Sequence, residues 1–283
     1  MNNQKIFLVT GVSSGFGQAF ASAALSAGHL VVGTVREKSA GKNFESEYPG
    51  LAKAVVLDVT DFDDIDPKVA EIEQTIGPVS VLVNNAGYGH EGTIEESPLA
   101  ELRRQFEVNV FGAVAMIKGV LPFMRKRRTG HIINITSMGG YITLPGIAYY
   151  CGSKSALEAI SETLSKEVKD FGIRVTAVAP GQFRTDWAGR SMIRTERTIS
   201  DYDKLMNPIR KARQEKSGKQ PGDPAKAAQV LLKIIEHQNT PTHLLLGNDA
   251  LELVREKLET LNAEFALWEE MTRSTDFDRS TAV

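Results

Sequence analysis

Short, strongly apolar, β-branched runs recur along this chain, each followed by a longer amphipathic stretch, and that alternation leaves few folds open. The runs are Ile6–Thr10, Leu30–Thr34, Ala54–Leu57, Val79–Val83, His131–Thr136, Ile173–Ala179 and His243–Leu246. These runs are short, rich in β-branched residues and bounded by turn residues, as parallel strands buried on both faces should be. Phe16–Ala27, Phe62–Ile76, Leu102–Arg125, Tyr149–Phe171 and Pro224–His237 lie between them and carry a helical pattern. The pattern predicts a single α/β domain, doubly wound, with a seven-stranded parallel sheet and helices on both faces. At 283 residues the chain is long for one domain, but α/β folds accommodate such lengths.

Two segments break the rhythm. Asp186–Gln220 is polar, rich in Arg and Ser, and reads as strandless. It follows the C-terminal end of a strand, where open α/β sheets place their ligands. Loops this long are usually functional or disordered, and residues 186–220 are expected to form a mobile substrate lid. Trp187, Met192, Ile193, Tyr202 and Met206 within it favour a moderately apolar substrate, such as a steroid-like, retinoid-like or aromatic carbonyl compound. In the C-terminal extension, residues 248–283, Leu251, Val254, Leu258, Leu261 and Phe265 recur at helical spacing and predict a packed amphipathic helix.

Composition excludes several functions. The net charge of −2 gives no global field for nucleic acid or a membrane surface. The lone Cys151 permits no internal disulfide and fits a reducing compartment. No stretch approaches the roughly 20 consecutive apolar residues of a membrane span, so a cytoplasmic protein is expected. His29, His90, His131, His237 and His243 lack metal-ligand spacing, and no metal is expected. Arg125-Lys126-Arg127-Arg128 closes a helix, where cations favour the C-terminal dipole, and reads as a solvated helix end.

Thr10-Gly11-Val12-Ser13-Ser14-Gly15-Phe16-Gly17 follows the first strand directly and opens the first helix. That is the setting of a dinucleotide-binding turn. Glycines permit the tight turn and let backbone N–H groups approach a pyrophosphate, and the helix N-terminus adds favourable partial charge. Such turns also occur for steric reasons alone. The spacing here is T-G-x-x-x-G-x-G. Asp58-Val59, Asn84-Asn85-Ala86-Gly87, Asn109, Ser137, Tyr150 with Lys154, and Pro180-Gly181 with Thr185 follow in order. Together these residues resemble the motifs of the short-chain dehydrogenase/reductase family. The resemblance implies a Rossmann-type fold and an NADP(H)-dependent oxidoreductase. It also implies cofactor contacts from Gly11, Ser13, Ser14, Gly15, Phe16, Gly17, Arg36, Asp58, Val59, Asn85, Ala86, Gly87, Tyr150, Lys154, Pro180, Gly181 and Thr185.

Tyr150 and Lys154 are four residues apart on a predicted helix and share a face. A ketone becoming an alkoxide needs a proton, which a phenol can donate. Free tyrosine has a pKa of about 10, and a nearby ammonium would lower it. Lys154 is therefore expected to make Tyr150 usable as acid or base. Tyr149 has Ser153 at its +4 position, which offers no charge, so Tyr149 reads as a packing or pocket residue. Cys151 reads as a small buried hydrophobe. By the resemblance, Ser137 binds the substrate oxygen and Asn109 supports a water leading to Lys154. Asn109 in a helix interior also fits a local hydrogen bond at a bend.

The strand tip after Thr34 bears on cofactor choice. NAD-preferring relatives place an acidic residue there, whereas this chain has Val35 and then Arg36, a partner for a 2′-phosphate. A slip of two residues would bring Glu37 to the ribose instead. NADP(H) is therefore expected over NAD(H), with a small carbonyl or alcohol substrate, no nucleic-acid or membrane partner, and a homodimer or homotetramer. Two rival functions are an NADPH-sensing regulator without turnover and a nucleotide-sugar epimerase or dehydratase. The second uses a closer glycine spacing and a larger C-terminal domain, and both are missing here.

Overall fold

The computed structural model describes residues 4–277. In chain order, Ile6–Val9 (β1), Gly15–Ser26 (α1), Leu30–Val35 (β2), Lys38–Glu47 (α2), Ala52–Val56 (β3), Phe62–Thr75 (α3) and Val79–Asn84 (β4) form the first half. Gly89–Glu91 (β5), Leu99–Phe106 (α4), Gly112–Arg127 (α5), Gly130–Ile135 (β6), Ala148–Val168 (α6) and Ile173–Pro180 (β7) follow. The chain then runs through Met192–Arg194 (β8), Asp203–Lys216 (α7), Pro224–Glu236 (α8), His243–Leu246 (β9), Asn248–Leu267 (α9) and Glu269–Arg273 (α10).

Seven of these strands form one parallel sheet in the order β3-β2-β1-β4-β6-β7-β9, the doubly wound arrangement expected from the sequence. Successive side chains of a strand face opposite sides, so the sheet divides the core in two. Val31, Val81, Ile133 and Val178 pack with Phe20, Leu231 and Ile235 on one face. Val32, Leu82, Ile132 and Val175 pack with Ile65, Met116 and Leu164 on the other. Helices α1 and α8 cover the first face, and α3, α5 and α6 the second. The strand order reverses between β1 and β4, which opens a crevice at their C-terminal ends.

Several expectations are revised. Helix α2 was not foreseen because only Gly41 and Phe44 of it are buried. The helix read over Leu102–Arg125 extends from Leu99 to Arg127, with a π-helical turn at Glu107–Phe111. This run contains a stretch long and apolar enough, by length and composition, to cross a membrane. Counting consecutive apolar residues missed it because Lys118 interrupts the run; its Ile117, Val120 and Met124 are buried in the core. Segment 186–220 contains a strand, β8, paired in parallel with β5, and the helix α7. Arg127 turns inward, donating to Glu73 and to the Val79 carbonyl at 3.0 Å each, so the basic run is not wholly solvated. The C-terminal helix forms, but only Ala250 and Val254 of α9 are buried. Leu258 is 56% and Phe265 67% exposed, so the packing expected of that stripe is not found within one chain.

Candidate active site

The glycine turn and the tip of β4 form one unit in the crevice. Gly11 and Gly15 take φ of +72° and +60°, a region that favours glycine. A Cβ on Gly17 would stand 2.1 Å from the Gly11 carbonyl oxygen and 2.4 Å from Asn85 Nδ2, so no side chain fits there. Asn85 Nδ2 donates to the Thr10 and Gly11 carbonyls at 2.9 and 3.1 Å. Thr10 Oγ1 accepts from the backbone N–H groups of Asn85 and Ala86, both at 2.9 Å. Helix α1 begins at Gly15, and its N-cap Ser14 makes no side-chain cap bond. First-turn N–H groups therefore face the crevice free for an anion.

A cleft of 1060 Å³ runs from this turn over the sheet edge, at the upper end of typical ligand-site volumes. Gly11, Ser13, Ser14, Gly15, Phe16, Arg36, Asp58, Val59, Asn85, Ala86, Gly87, Ser137, Tyr150, Lys154, Pro180, Gly181 and Thr185 all line it. Gly17 and Asn109 lie behind the wall, where they shape the residues that do. Val35 ends β2 buried, and the exposed Arg36 stands at the cleft, whereas Glu37 serves as the N-cap residue of α2. Asp58 accepts from Thr60 N and Oγ1 at 3.0 and 2.8 Å, fixing the turn after β3.

The candidate catalytic side chains converge deeper in the cleft. Tyr150 and Lys154, one turn apart on α6, are both buried. Ser137 stands beside the Tyr150 hydroxyl, close enough to favour its ionised form. Ser137 lies two residues beyond β6, and its Oγ accepts from Gly139 N at 3.0 Å, which leaves its own proton to donate. Lys154 Nζ donates to the Ile135 carbonyl at 2.7 Å and lies 5.9 Å from the Tyr150 ring centroid. Asn109 sits in the π-helical turn, and its contacts are not local. Its Nδ2 donates to the Tyr88 carbonyl and to Ser153 Oγ, each at 3.1 Å, and its Oδ1 accepts from Tyr88 N at 3.1 Å. A Cβ on Gly87 would come within 3.0 Å of Asn109 Oδ1 and 3.6 Å of Lys154 Nζ, so the glycine keeps a small polar gap between them.

Burial dominates the electrostatics. It pushes the Tyr150 phenol well above its ordinary value, and the neighbouring Ser137 hydroxyl opposes this only in part. The net shift of Tyr150 is therefore upward, set by loss of hydration, whereas the sequence pointed to a downward shift from Lys154. Burial also lowers Lys154 to about 8, while Glu158 acts in the opposite direction. At neutral pH the pair is therefore a phenol beside an ammonium. Trp187 tilts against the Tyr150 ring, centroids 4.9 Å apart, and helps to dry it. Tyr149 points elsewhere: its hydroxyl donates to the Ser97 carbonyl at 2.9 Å and its ring stacks on His90.

Segment 186–220 closes the far side. Of its five expected contact residues, Trp187 and Ile193 line the cleft. Met192 and Met206 are buried in the segment's base, and the Tyr202 hydroxyl donates to Glu95 at 2.7 Å. Unforeseen lining residues are Tyr88, Arg104, Leu144, Arg190, Ile209 and Arg213. Tyr88 was the legible one, since it directly follows Asn84-Asn85-Ala86-Gly87. Arg190 reaches back across the cleft, donating to Ser14 Oγ at 2.7 Å and to Asp186 at 3.0 Å.

Known proteins resemble this chain in sequence and fold. A crystal structure of a short-chain dehydrogenase from Streptomyces avermitilis superposes with a TM-score of 0.91 at 42% identity, over 98% of this chain and 100% of that one. The chain is 37% identical to a 3-ketodihydrosphingosine reductase of Bacteroides thetaiotaomicron, covering 86% of this chain and 88% of the relative. It is 39% identical to an NADPH-dependent 3-dehydrocapnine reductase of Ornithobacterium rhinotracheale, covering 65% and 67%. The family model for short chain dehydrogenase matches residues 5–194. With the sheet order, the glycine turn and the Tyr150–Lys154 helix already in place, this match makes the chain a member of the short-chain dehydrogenase/reductase family of oxidoreductases.

Proposed function

We propose that the protein is an NADP(H)-dependent carbonyl reductase, reversible as an alcohol dehydrogenase, with Tyr150 as its general acid and base. The carrying observation is the buried Ser137–Tyr150–Lys154 group at the end of a cleft that opens on the glycine turn. The chain's residues fit a dinucleotide. Gly87 leaves room beside Lys154 that a Cβ would fill, and first-turn N–H groups of α1 are free for a pyrophosphate. Gly11, Ser13, Ser14, Gly15, Phe16, Asp58, Val59, Asn85–Gly87, Pro180, Gly181 and Thr185 would hold the cofactor, with Gly17 keeping the turn tight behind them, Arg36 gripping its 2′-phosphate and Lys154 the nicotinamide ribose. When bound, the nicotinamide supplies or takes up the hydride.

The remaining chemistry belongs to the protein. Ser137 donates to the substrate oxygen and orients it. Tyr150 gives its phenolic proton to the oxygen as negative charge develops there, and raised proton affinity keeps the donor loaded at neutral pH. Lys154 then faces the phenolate and offsets its charge. Asn109, tied to Tyr88 and Ser153, holds the polar gap at Gly87 through which the proton is replaced. Leu144, Ile147, Trp187, Ile193 and Ile209 favour an apolar ketone, and one relative is named as a reductase of a 3-keto compound. The preference for NADP(H) rests on Arg36 at the tip of β2 and is in line with the relative named NADPH-dependent.

Cytoplasmic location and a homodimer or homotetramer are part of this proposal. The buried single Cys151 fits a reducing compartment, and the apolar stripe of α9 offers a surface to a second copy. The test is NADPH and NADH oxidation against a panel of apolar ketones. Saturable oxidation that favours NADPH supports the proposal. Tight NADPH binding with no turnover on any ketone would replace it with a sensor.

A further inference from the structure

The helix face that carries Tyr150 and Lys154 continues one turn further to Glu158, which is 6% exposed. A carboxylate so deeply buried needs partners, and this one has them on every side. Thr136 Oγ1 donates to its Oε1. The Tyr141 hydroxyl donates to its Oε2 at 2.9 Å, and His243 Nδ1 lies 3.0 Å from the same oxygen. Tyr141 and His243 also touch each other, the hydroxyl 2.8 Å from Nδ1. The titratable and charged groups facing Glu158 are thus Lys154 and Glu162 on its own helix, Tyr141 after β6, and His243 at the start of β9. The His243 side chain is 38% exposed, so the cluster begins at the active site and ends in solvent.

Two features tie this cluster to catalysis rather than to packing alone. First, Lys154 grips the Ile135 carbonyl while Glu158 holds the next residue, Thr136, and Ser137 follows immediately. The strand tip that presents the candidate substrate-orienting serine is therefore pinned to α6 at two consecutive residues. Second, Lys154 carries its charge in a buried site where its one hydrogen-bond partner among the described residues is a neutral carbonyl. A buried ammonium without a nearby negative charge is costly, and Glu158 supplies that charge from one turn away.

We propose that Glu158 is a positioning residue of the active site, whose carboxylate holds the Ile135–Ser137 tip in place and sets a negative charge one helical turn from the buried Lys154, with Tyr141 and His243 linking it to solvent. The proposal rests on Tyr150 and Lys154 being the catalytic pair, but its physical core can be measured without turnover.

The test is the titration of Lys154 itself, followed by NMR on protein carrying isotope-labelled lysine, with its signal identified by its loss in Lys154→Met. Glu158→Gln removes the charge and keeps the shape. Its Lys154 midpoint is expected to fall by about one pH unit or more, the usual effect of a single charge at this range. Glu158→Asp is expected to restore part of the difference. His243→Lys, at a partly exposed position, sets a fixed cation beside Glu158 and is expected to shift the midpoint the same way by a smaller amount. In turnover, the alkaline limb of the kcat profile of Glu158→Gln moves down with the midpoint, while NADPH affinity stays within about threefold of wild type. A midpoint unchanged in both Glu158→Gln and His243→Lys overturns the proposal, as does a uniform loss of kcat with an unshifted limb, which marks a purely structural role. Retained activity in Tyr150→Phe would instead overturn the proposed function while leaving the Lys154 titration to judge Glu158.

Discussion

Glu91, at the end of β5, should anchor the wall of the substrate cleft, and the cost of removing its charge can be worked from its surroundings. Its side chain is fully buried and faces three guanidinium groups from segment 186–220: Arg210 Nε at 2.7 Å, Arg213 Nη1 at 3.2 Å and Arg194 Nε at 3.5 Å. Those arginines hold α7 against the body, so that Ile209 and Arg213 form the cleft wall. Glu91→Gln keeps the shape but leaves three cations facing a neutral amide. Breaking a fully buried ion pair costs about 3–5 kcal/mol. The arginine side chains here are 16–23% exposed and can rehydrate in part, which brings the expectation to about 2–4 kcal/mol. For a domain of this length each kcal/mol lowers Tm by about 2 °C, so a fall of about 4–8 °C is expected. Thermal melting by circular dichroism reads that fall, and hydrogen exchange reads its location, with faster exchange confined to α7 and β8. KM for an apolar ketone should rise while kcat holds, because Tyr150 and Lys154 are untouched. A Tm within about 1 °C of wild type, with unchanged protection in α7, would refute this account of the clamp.

Other outcomes follow from the same geometry. Arg36→Ala should weaken NADPH by about 1.5–3 kcal/mol, or ten- to hundredfold, with NADH little changed, as read by fluorescence titration. Val35→Asp should push preference further toward NADH by setting a carboxylate beside the 2′-phosphate. Lys154→Met should weaken cofactor binding yet stabilise the fold at neutral pH. Because burial lowers the Lys154 pKa to about 8, the cost of its charge is fully present below that pH and is relieved as pH rises from there toward 10.5. Wild-type stability should therefore climb across that window, and the Lys154→Met profile should stay flat there. Segment 186–220 is expected to exchange amide protons more slowly once NADPH and ketone are bound, and equal protection in both states would make it a structural insertion.

The sheet was legible because parallel strands buried on both faces are short and rich in β-branched apolar residues, as in Ile6–Val9 and Leu30–Val35, and amphipathic helical stretches separate them. The cofactor turn was legible because Gly11, Gly15 and Gly17 are needed for backbone reasons that leave a mark in the residue type itself. Features that depend on distant partners were not legible. Strands β5 and β8 are three residues each and exist only because they pair across about a hundred positions. Glu91 looks like any loop carboxylate until Arg194, Arg210 and Arg213 close over it. The spacing of Leu251, Val254, Leu258 and Phe265 correctly indicated a helix, but periodicity cannot say whether a chain supplies its own partner for the stripe. The Tyr150–Lys154 pair was found by spacing, whereas the direction of the Tyr150 shift depended on burial, which no local pattern reports.

The proton donor is the point on which everything else turns. NADPH oxidation should be measured with a ketone that the wild type reduces, for wild type, Tyr150→Phe and Tyr149→Phe, alongside NADPH affinity for each. Tyr150→Phe should bind NADPH as the wild type does and lose turnover by about 10²–10⁴, the usual contribution of a positioned acid. Tyr149→Phe should keep its turnover, since its hydroxyl bonds only the Ser97 carbonyl. Turnover retained in Tyr150→Phe and lost in Tyr149→Phe would contradict the account at its centre.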